Sequence, residues 1–129
     1  MYSINVETRD RREVWLHSST NQPLCIFRMI RLELTLGRNI PDAGTVNDSM
    51  MDHFIRTVIM PLLEFGTFID GIGFWKGEEE QCKILYVEMP ESELAEMLPK
   101  FEQIGNAYKT MFRQDSVMIS QVSTNMVMR

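Results

Sequence analysis

Apolar residues in this chain recur with two different periods, and the changes between them mark out the elements. Over 26–36, Ile30, Leu32, Leu34 and Leu36 fall on one side and Arg31, Glu33 and Thr35 on the other. That period of two predicts a strand with one buried and one wet face, as in an antiparallel or mixed sheet. From Asn47, a good helix N-cap followed by Asp48, the spacing becomes helical through Met51, Phe54, Ile55, Val58, Ile59, Leu62 and Leu63. Pro61 removes a backbone donor and should loosen the last turn, with Gly66 as terminator. A strand over 68–75 and a second over 82–89 then flank an acidic hairpin turn at 77–81. The second helix opens at 90–92 and presents Leu94, Met97, Leu98, Phe101, Ile104, Tyr108 and Met111 or Phe112 on one face, with a bend expected at Pro99. A last strand covers 116–122, and 123–129 either extends it or frays.

The order from Ile26 onward is strand, helix, strand, strand, helix, strand. With right-handed crossovers this predicts an α+β, ferredoxin-like βαββαβ sheet with both helices on one face. Ahead of it, alternation over 2–7, a charged turn at 8–12 and a return strand at 13–17 suggest an extra N-terminal β-hairpin. This divides the chain into a hairpin and linker, 1–23, and one α+β domain, 24–129. The hairpin should extend the sheet or exchange with a neighbour. The sheet face away from the helices needs cover, for which a homo-oligomer is the usual answer.

Composition narrows the partners. At 129 residues the chain can bury a full core without disulfide or metal. A formal charge of −5 argues against bulk nucleic acid or an anionic membrane surface as partner. Met1–Asp10 lacks the apolar core of a signal peptide, and no apolar run approaches the roughly 20 residues of a membrane span, so a cytoplasmic protein is expected. Cys25 and Cys82 lie far apart in sequence and read as reduced thiols. The 11 methionines serve as core filler or as an adaptable surface; Met126 and Met128 suit neither reading well.

Candidate chemistry is sparse. No phosphate loop, dinucleotide fingerprint or zinc-protease motif stands in the chain, and His17 and His53 fall on different elements, so neither a metal nor a cofactor is expected. The carboxylates Glu78–Glu80 read as a solubilising hairpin tip. More informative is a group of aromatic and cationic residues. Arg28, Arg31 and Arg38 lie on or just past the first long strand, Phe74, Trp75 and Lys76 end the second, and Tyr108, Lys109, Arg113 and Gln114 end the second helix. An exposed ring with nearby cations is what a nucleotide-like ligand requires. The same residues also suit a core tryptophan and ordinary surface cations.

The segments Leu32–Gly37, Val46-Asn47-Asp48, Gly66-Thr67 and Gly73-Phe74-Trp75-Lys76-Gly77 resemble those of an uncharacterised family of small bacterial and phage domains. So does the ending Tyr108-Lys109-Thr110-Met111-Phe112-Arg113-Gln114-Asp115-Ser116-Val117, which looks like that family's Tyr-Lys-x-x-Phe-x-Gln-[Glu/Asp]-Ser-Val. The resemblance covers about three quarters of the chain and implies no activity. As a helix-to-strand joint, the motif would turn Tyr108 and Phe112 inward and let Gln114 tie the turn. In size and element order the chain is also similar to the phage Thoeris anti-defence sponges. That resemblance implies an oligomer that captures a nucleotide-derived immune signal without degrading it. Phe74 or Trp75 would then stack the base, and Arg38, Lys76, Lys109 or Arg113 would meet phosphates.

The expectation is therefore a non-catalytic, oligomeric ligand-binding protein that sequesters a nucleotide-derived signal. Two alternatives stand beside it. One is a small dimeric ferredoxin-like enzyme, of isomerase or cofactor-free oxygenase type, working through His53 or Tyr108. The other is an inhibitor that binds a host protein through acidic turns and methionines.

Overall fold

A computed structural model describes the backbone of residues 3–5, 13–17 and 23–128, and the side chains of 26–127. Strand β1 (Ser3–Asn5) pairs antiparallel with β2 (Glu13–His17), and β2 lies along the start of β3 (Pro23–Gly37). The N-terminal hairpin thus extends the sheet; its expected turn at 8–12 and positions 18–22 of the expected linker lie outside the described residues, and Pro23, expected as the linker's end, opens β3. A small ribbon of β4 (Asn39–Ile40) and β5 (Gly44–Thr45) follows. Then come α1 (Asp48–Phe54), β6 (Thr67–Trp75), β7 (Glu78–Pro90), α2 (Leu94–Phe112) and β8 (Met118–Met128).

The four long strands form an antiparallel sheet in the order β6-β7-β3-β8, and with two helices the fold is α+β. Even-numbered Leu32, Leu34 and Leu36 pack with Leu85, Val87 and Met89 of β7. Met51 and Phe54 of α1 and Phe101, Ile104, Tyr108 and Phe112 of α2 join the same cluster. Both helices therefore bury their apolar stripes against one sheet face. The odd-numbered positions of β3 look the other way, where no element among the described residues covers them.

Local chemistry explains the joints. The Asn47 side chain accepts a hydrogen bond from the Met50 N–H at 2.8 Å, the expected N-cap. Pro61 cannot donate, and the helix widens before it into a π turn over Ile55–Ile59, in which the Met60 N–H reaches the Ile55 carbonyl at 2.9 Å. The bend expected at Pro99 does not divide α2, which runs as one helix through it after a short 3-10 turn at Glu91–Glu93. Arg113 ends α2 in the left-handed region (φ 54°), and the Gln114 N–H closes onto the Lys109 carbonyl at 3.0 Å, a Schellman-type cap. Gly105 lies where α2 meets the sheet: a Cβ there would stand 2.8 Å from Val117 Cγ2.

One strand limit differs from expectation and shifts the chemistry. The acidic turn expected at 77–81 is a two-residue turn, Lys76-Gly77, with φ 50° and 82°. Glu78, Glu79 and Glu80 are strand residues facing Trp75, Phe74 and Gly73. Two successive positive φ values are the geometry of a tight hairpin turn matched to strand twist, and Gly supplies one of them without strain.

Candidate ligand-binding site

The helix-free face ends in a concavity of about 620 Å³. Its floor is the backbone around Thr35 and Gly37 of β3 with Cys82 of β7, and its walls are the β6–β7 hairpin on one side and Ser116–Met118 on the other. The two-residue turn sets this shape by holding Trp75 opposite Glu78 and carrying the hairpin past the helices. Phe74 and Trp75 are 80% and 75% exposed, and the Lys76 ammonium lies 5.7 Å from the centre of the Trp75 ring. Trp75 is thus a surface ring and not a core residue.

Of the ten residues singled out from sequence, Arg28 and Arg31 lie on β3 and do not line the concavity, and the other eight separate into two groups. Phe74, Trp75, Lys76 and Gln114 come together around this concavity, though they lie about 40 positions apart. Arg38, Tyr108, Lys109 and Arg113 do not line it. Arg38 is buried; its Nε donates to the Val46 carbonyl at 2.9 Å and its Nη2 to Asp48 at 2.8 Å. It holds the start of α1 to the end of β3. Arg113 donates to the Pro41 carbonyl at 3.0 Å, fastening the β4–β5 ribbon to the end of α2. Lys109 is half-buried on the same last turn.

Tyr108 belongs to the core. Its hydroxyl donates to the Gly37 carbonyl at 2.6 Å, and its ring packs 5.1 Å from Phe54 and 4.9 Å from Phe112. Desolvation is the main cause that pushes its phenol up to about 12. Gln114 ties the joint as its motif suggested, donating from Nε2 to the Asn39 carbonyl at 2.8 Å and the Phe112 carbonyl at 3.1 Å. The Tyr-Lys-x-x-Phe-x-Gln pattern is accounted for as a helix-to-strand lock whose last residue also reaches the concavity wall.

Sequence reading missed the acidic lining. Glu78, Glu79 and Glu80 border the concavity, and the Glu80 carboxylate accepts the Asn39 N–H at 2.9 Å while lying across Gly37. A side chain at position 37 would meet that carboxylate at 2.8 Å and displace it from this position. Counting Lys-Gly as the hairpin turn would have placed these carboxylates on the strand. Cys82, in the floor, has its thiol pushed up by burial first and by Glu80 second, so it stays protonated and weakly nucleophilic. His53 is exposed on α1, away from the concavity, and its carbonyl accepts from the Thr57 hydroxyl at 2.7 Å. Among the described residues no group of three or more His, Cys, Asp or Glu could hold a metal ion. No helix among them is long and apolar enough to cross a membrane.

Chemically, the arrangement offers a flat π surface, one ammonium, three carboxylates and the Gln114 amide. It can grip a ring edge-on through hydrogen bonds and face-on through stacking. Comparison with known proteins finds no match among curated proteins and none among solved structures. A family model does match, over residues 31–127, from the middle of β3 to the end of β8 and so across the whole core sheet and both helices. The chain belongs to that family, described as a protein of unknown function, DUF3574.

Proposed function

We propose that this protein is a non-catalytic, oligomeric ligand-binding protein of ferredoxin-like build, and that it holds its ligand in the concavity beside Trp75. The strand order β6-β7-β3-β8, with both helices on one face, is the observation behind the ferredoxin-like assignment. The exposed Trp75 ring at the wall of a 620 Å³ concavity carries the functional reading. Phe74, Trp75 and Met118 are all exposed around it, and an exposed apolar patch of this kind marks a surface that something else covers.

The ligand class follows from the lining. Lys76 is the single cation among the lining residues, set against Glu78, Glu79 and Glu80. Such a wall repels a polyphosphate and favours a planar heteroaromatic ring bearing N–H donors, with at most one negative charge near Lys76. A nucleobase or cyclic mononucleotide fits this description. Sequestration of a nucleotide-derived signal by a phage-encoded protein in its host's cytoplasm is the specific form of the reading that the resemblance to anti-defence sponges suggests. Binding without turnover agrees with the raised Tyr108 and Cys82 groups and the distant, exposed His53, none of which forms a nucleophile–base pair in the site.

Native mass spectrometry with added nucleosides, cyclic mononucleotides and dinucleotides tests the proposal. Retention of one ligand class, released intact on denaturation and lost in Trp75→Ala, is the expected result. Hydrolysed or rearranged ligand, or undiminished binding by Trp75→Ala at an unchanged melting temperature, overturns it.

A further inference from the structure

The helix-free face is ordered in rows that run across the strands. One apolar row contains Ile69, Ile84, Thr35 and Met118. Next to it lie Thr67, Tyr86, Glu33 and Ser120, then Glu88, Arg31 and Val122. Beyond these two polar rows, Met29 pairs with Thr124 and Phe27 with Met126, so apolar groups return. The polar centre is not a set of stranded charges. Arg31 donates to Glu88 at 2.9 Å, stands 4.2 Å over the Tyr86 ring and lies 3.9 Å from Glu33. Around that centre Ile69 and Val122 are each 45% exposed and Met118 60%.

This pattern is self-complementary. A two-fold axis between the Arg31 and Glu33 rows sets each Glu33 against the other copy's Arg31, the cation with which it makes only a long contact in its own chain. The same axis lays the Ile69–Ile84–Met118 row on the other copy's Met29 row. Strand spacing of about 4.8 Å and a rise of about 3.3 Å per residue give an overlapping footprint of roughly 500 Å² per copy, near 1,000 Å² in total. A specific interface needs about 1,000 Å² in total.

The concavity lies one row past Ile69 and Ile84, at Gly71, Cys82 and Gly37. The axis brings the other copy's Phe27–Met126 row over it. We propose that a second copy of this chain covers the helix-free face about this axis, and that Phe27 and Met126 of each copy close the other's concavity beside Trp75. The closing role rests on the ligand-site reading above; the dimer itself does not.

Sedimentation equilibrium of the full chain at micromolar concentration should give twice 15.1 kDa. Val122→Lys, on an edge strand, should return it to a monomer that still melts cooperatively, and Met118→Lys is the second variant should the first misfold. In a Cys25→Ser background, a short bismaleimide should join Met126→Cys of one copy to Ser116→Cys of the other, the exposed position that the axis lays beneath it. A monomeric wild type, a dimer indifferent to both lysine substitutions, or a dimer with no such cross-link overturns the proposal. A wild-type dimer that retains no ligand would keep this interface and remove the ligand reading; a monomer that binds would do the reverse.

Discussion

Replacing Tyr108 with phenylalanine deletes one oxygen from a side chain with 0% exposure. That oxygen donates to the Gly37 carbonyl at 2.6 Å, while the ring keeps its contacts with Phe54 and Phe112. The loss is therefore one buried hydrogen bond and an acceptor left without its partner, together worth about 1–2 kcal/mol. At this chain length each kcal/mol corresponds to about 3–5 °C in melting temperature. Protonation provides a second signature. The folded phenol titrates at about 12, and in the unfolded chain a tyrosine titrates near 10. Between those values the unfolded state has released its proton and the folded state has not. Stability contributed by Tyr108 is then fully present below about pH 10 and declines as pH rises toward 12, by at most about 1.4 kcal/mol per pH unit. Guanidinium unfolding of both proteins, followed by circular dichroism at steps from about pH 7 to pH 11.5, measures the gap between them. Wild type should lead by about 1–2 kcal/mol at neutral pH, and its lead should shrink above about pH 10. A lead below about 0.3 kcal/mol at pH 7, or one that stays constant through pH 11.5, would refute the account of Tyr108 as a buried donor.

Gly105→Ala should destabilise the protein by about 1–3 kcal/mol in the same assay, because the new methyl meets Val117 Cγ2 at 2.8 Å. Helix propensity alone predicts the opposite sign, so a stabilised variant would mean that α2 and the Val117 segment are not in close contact. Arg38→Met should cost about 2–3 kcal/mol by leaving the Val46 carbonyl unpaired, and should leave ligand retention in native mass spectrometry unchanged. Loss of ligand with little loss of stability would instead return Arg38 to the site. Lys76→Asn places a better residue at φ 50° and should raise stability by about 0.5 kcal/mol while weakening retention of an anionic ligand. Retention unaffected by that change would remove Lys76 from the site.

The parts of this protein legible in its sequence are those governed by neighbours along the chain. Alternation from Ile30 to Leu36 assigned the strand and its buried face, and the Asn47 cap, the i, i+4 pair Tyr108 and Phe112, and the tie at Gln114 were all visible locally. Each depends on a fixed repeat or a turn of a few residues, which the backbone imposes wherever the chain lies. What stayed hidden depends on register between distant strands. Arg38 and Trp75 looked alike as members of a surface group. Pairing sends Arg38 inward against Val46 and Asp48 and leaves Trp75 opposite Glu78 in solvent. One residue more or less in the Lys76-Gly77 turn would move every β6 side chain relative to its β7 neighbour, and with it the wall of the concavity.

By itself the sequence determined the four long strands, the two helices and the apolar stripes they bury, because burial of a stripe follows from its period. Only the tertiary structure decided which of the aromatic and cationic residues meet, which carboxylates face them and which sheet face is left uncovered, because those follow from pairings across 40 to 100 residues that no local pattern encodes.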